Sequence, residues 1–111
     1  MDRVDRYRQI VRDVMKTYAS WTPSNDEVAT EIVVDPDRDH YEMLRIGWHD
    51  RKRVYGTLFH IDIINGKIWI QYDGTNRPVA EELLAAGIPR EDIVLAFHPA
   101  DLRKHTEFAV G

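Results

Sequence analysis

Three aspartates at alternate positions, Asp35, Asp37 and Asp39, have the spacing in this chain that most suggests metal chemistry. A calcium loop of the EF-hand type needs oxygen ligands at its first, third and fifth positions, glycine at the sixth and a bidentate glutamate at the twelfth. Counted from Asp35, the sixth position is His40 and the twelfth is Ile46. Both required residues are missing, so we interpret the run as a polar connection between two strands.

The histidines are the next candidates for metal or acid–base chemistry. His60 and Asp62 are two residues apart, which places both on one face of a strand. No HExxH pair is present, His40 stands in a different segment, and two ligands are fewer than a zinc site uses. We therefore predict no metal site, no catalytic residues and no cofactor. His60 is expected to make a structural hydrogen bond or to lie in an interface, and a hydrolase that uses His60 and Asp62 is kept as an alternative.

A local basic cluster, HDRKR, occupies residues 49–53 in what reads as a hairpin connection. The tip of a β-ribbon can contact nucleic acid, which makes Arg51, Lys52 and Arg53 candidate DNA contacts. The chain as a whole carries a net charge of −4, whereas domains that grip the phosphate backbone usually present a net basic face. We favour a solvated loop and keep direct DNA binding as an alternative.

Composition excludes several other classes of function. The chain has no cysteine, so disulfides, thiolate nucleophiles and cysteine metal sites are impossible. Its two serines, Ser20 and Ser24, stand together at one helix end, which disfavours a serine hydrolase, and its six glycines are too scattered for a phosphate-binding loop. The charged start MDRVDRYRQI does not resemble a signal peptide, and no apolar run reaches the length of a membrane span. We expect a cytoplasmic protein of one domain, residues 1–111, without membrane association.

Hydrophobic periodicity predicts an α+β fold. Apolar residues at spacings of three and four predict a helix over residues 2–20, ended by the turn residues of WTPSND. Segments 27–34, 41–48, 54–64 and 67–72 are rich in β-branched and aromatic residues, and their short links predict a four-stranded antiparallel meander. A second helix is predicted from near Pro78, capped by Thr75 or Asn76, to Gly87, followed by a C-terminal extension.

The Asn65-Gly66 pair predicts a two-residue hairpin turn and so fixes a register. Ile64 then lies opposite Lys67, and Phe59 lies opposite Tyr72 on an apolar face. The other face pairs His60 with Gln71 and Asp62 with Trp69. An aromatic on a polar sheet face suggests that something covers it. The candidate interface is therefore Trp69, Asp62, His60 and Gln71, with Trp48 expected nearby on a neighbouring strand, and we expect homo-oligomerisation.

Several segments, in order along the chain, resemble the XisI family, the fdxN element excision controlling factor proteins of cyanobacteria. They are YRQIV, RDHYEMLRIGW, HIDIINGKIWIQYDGT, VAEELLAAGIPREDIVLAFH and the ending TEFAVG. The resemblance implies a helix, a four-stranded antiparallel sheet and a further helix. It also implies an accessory role in a DNA rearrangement of heterocyst differentiation, in which a separate site-specific recombinase cuts the DNA. Family members are commonly encoded beside a XisH-type protein, and the family offers no catalytic residues to carry over.

These observations together predict a non-enzymatic regulatory protein that binds a XisH-type partner and itself, with nucleic acid involved only indirectly. The alternatives are a DNA-binding accessory factor that uses residues 51–53 and a hydrolase that uses His60 and Asp62.

Overall fold

The structure is a computed structural model that describes residues 2–21 and 27–111. The α+β class is confirmed, but the sheet has five strands rather than four. The elements in chain order are α1 (Arg3–Trp21), β1 (Val28–Asp35), β2 (His40–His49), β3 (Lys52–Ile64), β4 (Lys67–Asp73), α2 (Val79–Ala85), a short 3-10 helix (Arg90–Asp92), β5 (Ile93–Leu95) and α3 (Ala100–Arg103).

Helix α1 follows the predicted apolar stripe. Its buried residues recur at spacings of three and four, as one face of a helix requires: Tyr7, Val11, Val14, Met15 and Tyr18. The predicted turn residues 22–26 lie outside the described part of the chain. Among residues 2–21 and 27–111, no helix has the length and apolar composition needed to cross a membrane.

The five strands lie side by side in the order β1-β2-β3-β4-β5. The first four form the predicted antiparallel meander, whereas β5 pairs with β4 in parallel. A parallel neighbour needs a crossover connection, and α2 lies within it. The prediction of a purely antiparallel sheet was wrong because β5 is only three residues long and carries no recognisable alternation.

The core lies between the two longer helices and one face of the sheet. Side chains from α1 and α2 form one buried cluster with alternate residues of β2, β3 and β4, among them Tyr41, Phe59, Ile61 and Ile70. The Tyr18 ring meets the Phe59 ring edge-on, with 5.3 Å between centroids. The opposite side of the sheet, called here the outer face, is therefore the side that neither α1 nor α2 covers.

The hairpin between β3 and β4 keeps the predicted register only near its turn. Asn65 and Gly66 both have positive φ, as this turn requires, and the pairs from Ile64–Lys67 to Ile61–Ile70 are confirmed. A register shift then follows between His60 and Ile61. The predicted pairs of His60 with Gln71 and of Phe59 with Tyr72 are wrong, because one extra residue in β4 shifts every later pair by one position.

Helix α2 begins at Val79 and is capped by a residue from the end of β4. The Val79 backbone N–H donates to Asp73 Oδ2 at 2.8 Å, and the Thr75 N–H donates to Asp73 Oδ1 at 2.9 Å. The expected capping by Thr75 or Asn76 is thus replaced by an aspartate several residues upstream. Its negative charge also suits the positive end of the helix dipole.

Gly47 allows the start of β1 to lie directly against β2. A Cβ at residue 47 would stand 1.9 Å from the Glu27 carbonyl oxygen, which is backbone and cannot move aside cheaply. We expect Gly47→Ala to lower the free energy of unfolding by about 1–3 kcal/mol or more, as overpacking does. Gly56→Ala is the matched control, since a Cβ there meets nothing within 4 Å and φ is not positive. Urea denaturation of both variants checks this prediction, and equal midpoints would contradict it.

Candidate functional site

A second register shift, between β2 and β3, arranges the outer face. Counted from the His49–Lys52 end of this hairpin, the strands pair regularly as far as Leu44 and Thr57. Leu58 is then skipped, so that Met43 pairs with Phe59. Without this bulge the same counting would place His40 opposite Ile61, a residue of the core face. With it, His40 pairs with Asp62.

The bulge therefore collects polar side chains from three strands into one group on the outer face, called here the polar cluster. Its members are His40, Glu42, Thr57, His60, Asp62 and Gln71. The sequence prediction placed His60, Asp62 and Gln71 on this face but kept His40 apart, and it missed Glu42 and Thr57. The alternation of His40 and Glu42 along β2 could have indicated their common face, but not their neighbours on β3.

Asp62 is the centre of the polar cluster. Its Oδ1 lies 3.0 Å from His40 Nδ1, and its Oδ2 lies 3.1 Å from His60 Nε2. Gln71 Nε2 donates a hydrogen bond to the same Oδ2 at 3.2 Å. The two imidazole rings approach each other with 4.3 Å between centroids. Two imidazoles and an amide thus converge on a single carboxylate.

Glu42 forms the other acidic side of the polar cluster. Thr57 Oγ1 donates to Glu42 Oε2 at 2.5 Å, and His40 Nε2 lies 3.3 Å from Glu42 Oε1. The hydrogen bond from Thr57, and after it those from His40 and the nearby imidazole charges, hold the pKa of Glu42 below its usual value. Glu42 is therefore an anion at neutral pH, held beside His40 by the Thr57 hydroxyl.

The other feature of the outer face is an exposed aromatic group beside the turn of the β2–β3 hairpin. It consists of Trp48, Arg53 and Tyr55 and is called here the aromatic patch. Trp48 is 53% exposed and Tyr55 is 68% exposed. The Arg53 guanidinium lies over both rings, 5.2 Å from the Trp48 centroid and 5.8 Å from that of Tyr55. The three side chains form one flat, cationic and aromatic surface.

Trp69 does not join this patch. It lies across from Asp62, which pairs with His40. Trp48 is eight positions after His40 on β2, a distance of about 25 Å along a strand. The predicted proximity of Trp48 and Trp69 was therefore wrong, because they lie at opposite ends of the sheet.

Trp69 is also covered by the chain's own C-terminal segment. The Arg103 guanidinium lies 5.5 Å from the Trp69 ring centroid, and Gly111 is held nearby because its carbonyl oxygen accepts a hydrogen bond from Lys67 Nζ at 2.5 Å. The cover predicted over Trp69 is thus formed by the C-terminal segment of the same chain.

The basic cluster lies in the tight turn between β2 and β3. Asp50 and Arg51 form the turn with positive φ, and the side chains of Arg51 and Lys52 are exposed. Arg53 instead belongs to the aromatic patch. His49 lies 3.4 Å from Asp50, so an acidic group stands among the basic ones. DNA contact by residues 51–53 stays a prediction.

The acidic run has structural partners. Asp35 Oδ1 accepts the backbone N–H groups of Asp37 and Arg38 in the turn between β1 and β2. Asp39 accepts from Arg8 Nε at 2.7 Å, and this hydrogen bond holds the pKa of Asp39 below its usual value. These contacts support the interpretation as a polar connection, which also ties α1 to the sheet.

The fold and the outer face together define a small α+β protein with two helices on one side of a five-stranded sheet and a polar and aromatic surface on the other. The chain belongs to the XisI protein family, whose model matches residues 1–110. The resemblance found in the sequence is thereby confirmed.

Two crystal structures of proteins from Anabaena variabilis ATCC 29413 are similar over almost their full lengths. A XisI-like protein shares 37% identity over 97% of this chain and 99% of its own, with a TM-score of 0.91. The fdxN element excision controlling factor XisI shares 39% identity over 99% of this chain and 100% of its own, with a TM-score of 0.85. No functionally curated protein matches the chain in sequence.

Proposed function

We propose that this chain is a non-enzymatic accessory protein that controls excision of a DNA element, while a separate recombinase cuts and rejoins the DNA. The observation that carries the proposal is the likeness, over 99% of this chain at 39% identity, to a protein named as the controlling factor for fdxN element excision. In this proposal the chain acts through the proteins that it binds.

The aromatic patch supports such a role. Tryptophan, tyrosine and arginine are the residue types enriched at the energetic centres of protein interfaces, and the patch consists of one of each. Large apolar side chains grouped on an exposed surface mark interaction sites. We place the XisH-type partner on Trp48, Arg53 and Tyr55. Trp69 and Asp62, the centre of the polar cluster, lie outside this contact, because Asp62 is seven residues along β3 from Tyr55 and pairs with Trp69.

Co-purification tests the proposal. The tagged chain is expressed with the XisH-type protein of the same genome, and the eluate is analysed by light scattering coupled to size exclusion. We expect a stoichiometric complex and, because the chain is also expected to self-associate, a mass above that of the monomer for the chain alone. A well-folded chain that elutes without the XisH-type protein would contradict the proposal, provided that the partner is itself folded.

The same purified chain and complex also test direct DNA binding, the alternative to this role. Binding through Arg51 and Lys52 would appear with the chain alone at low salt and would weaken steeply as salt is added. Partner-dependent DNA binding that survives Arg51→Glu and Lys52→Glu would instead locate the DNA contact on the XisH-type protein.

A further inference from the structure

We propose that His40, His60 and Asp62 form a site for a divalent transition-metal ion, best suited to zinc, on the outer face of the sheet. One ligand atom from each residue lies within 4.8 Å of those of the other two. Ligand atoms in a tetrahedral zinc site stand roughly 3.3 Å apart, given bonds of about 2.0–2.2 Å. His40 Nδ1 lies 3.0 Å from Asp62 Oδ1 and His60 Nε2 lies 3.1 Å from Asp62 Oδ2, so each nitrogen is within a few tenths of an ångström of that spacing from one oxygen of the Asp62 carboxylate.

His60 supplies the observation that favours a metal over a network of hydrogen bonds. Its Nε2 is buried and has no hydrogen-bond partner within the described part of the chain, although Asp62 Oδ2 is only 3.1 Å away. The two atoms are within hydrogen-bonding distance, yet their relative orientation does not make a hydrogen bond. An unpartnered buried nitrogen is costly, and a cation held between His60 Nε2 and Asp62 would satisfy it.

The contacts behind these residues are those that orient metal ligands in known sites. A ligating histidine commonly donates its second ring N–H to a carboxylate, which fixes its tautomer and orientation. If His40 ligates through Nδ1, its Nε2 lies 3.3 Å from Glu42 Oε1, and Thr57 holds Glu42 in place. Gln71 Nε2 donates a hydrogen bond to Asp62 Oδ2 and so orients the Asp62 carboxylate. Glu42, Thr57 and Gln71 are therefore positioning residues for the site.

The chemistry of the donor set selects the class of ion. Two of the three ligand atoms are imidazole nitrogens, which favours zinc and its neighbours over calcium or magnesium. The Asp62 ligand and the neighbouring Glu42 carboxylate together carry a charge of −2, and ligating imidazoles are neutral. One divalent cation balances this charge. The ligand side chains are 21–29% exposed, so the fourth coordination position faces water or a group on another protein.

This inference stands apart from the proposed function, because it concerns the isolated chain and not its partner. A bound ion would tie the beginning of β2 to the end of β3, where the bulge has brought these strands into their present register. The site would therefore support the shape of the outer face without requiring that the protein be an enzyme.

Metal titration of the purified full-length chain tests the site. The chain is treated with a chelator, dialysed and titrated with Zn²⁺ by calorimetry, and Co²⁺ absorption serves as a signature of tetrahedral coordination. We expect one ion per chain. His60→Ala and Asp62→Asn should each weaken binding at least about a hundredfold, and Glu42→Gln by about 10–100-fold, as loss of an orienting partner does. His49→Ala and His105→Ala are the matched controls, since both histidines are exposed and lie outside the cluster.

The metal-free melting curve of each variant separates a lost ligand from a lost fold. Glu42→Gln keeps all three ligands, so it still tests the site if a ligand variant does not fold. Weakened binding in the cluster variants alone would support the proposal. Failure of the folded wild-type chain to bind Zn²⁺, or equal losses in the control variants, would overturn it.

Discussion

Replacing Trp48 and Tyr55 together by aspartate is expected to weaken binding of the XisH-type partner by more than about a hundredfold. Truncating a residue at the centre of an interface costs about 2–4 kcal/mol, and each 1.4 kcal/mol is a factor of ten in Kd. The substitution also places two carboxylates beside Arg53, which would then pair with them instead of lying over the rings. Calorimetry with the purified partner measures the change in Kd.

Phe97→Asp is the matched control for this experiment. Phe97 is also an exposed aromatic residue, but it lies near α2 and the C-terminal segment rather than on the β2–β3 hairpin. The changed side chains are all surface residues, so the free energy of unfolding should change by less than about 1 kcal/mol. Equal Kd values for the wild type and the Trp48/Tyr55 variant would remove the partner from the aromatic patch. They would leave family membership untouched, because that rests on the whole chain.

The sequence predicted best the features that depend on residues close together in the chain. The apolar stripe of α1, the strand segments and the Asn65-Gly66 turn depend on periodicity and on backbone preferences within a few residues. Strand register is also fixed locally beside a two-residue turn, which explains why the pairs from Ile64–Lys67 to Ile61–Ile70 are correct. Beyond that point the register depends on how the whole sheet twists over the helices.

The bulges mark the limit of prediction from this sequence. The apolar and polar residues of KIWIQYD alternate whether or not Gln71 has a partner on β3. The pattern therefore does not show that Gln71 is the bulged residue. Leu58 is equally inconspicuous, because an apolar residue fits either arrangement. Yet its bulge brings His40 into register with Asp62. The polar cluster could not be predicted because its assembly depends on one skipped residue 18 positions away from His40 along the chain.

The second prediction follows from the bulge in β4, where the register of the β3–β4 hairpin shifts. Phe59→Ala should lower the free energy of unfolding by about 3–5 kcal/mol, whereas Tyr72→Ala should lower it by less than about 1 kcal/mol. Phe59 is fully buried and meets the Tyr18 ring, whereas Tyr72 is 50% exposed on the outer face. Folded domains of this size are stable by about 5–15 kcal/mol, so the Phe59 variant should lose a large share of its stability. Urea denaturation of the two variants and the wild type gives both values.

The comparison discriminates between two registers of one hairpin. A regular ladder would place Phe59 directly opposite Tyr72 with both rings on the core face, and the two truncations would then have similar costs. The bulged ladder pairs Phe59 with Asp73 and turns Tyr72 to the side of His60. Similar losses from the two variants would therefore contradict the register shift in β4. A large loss for Phe59 alone would support it, because a half-exposed ring contributes little of the buried area and leaves no cavity when removed.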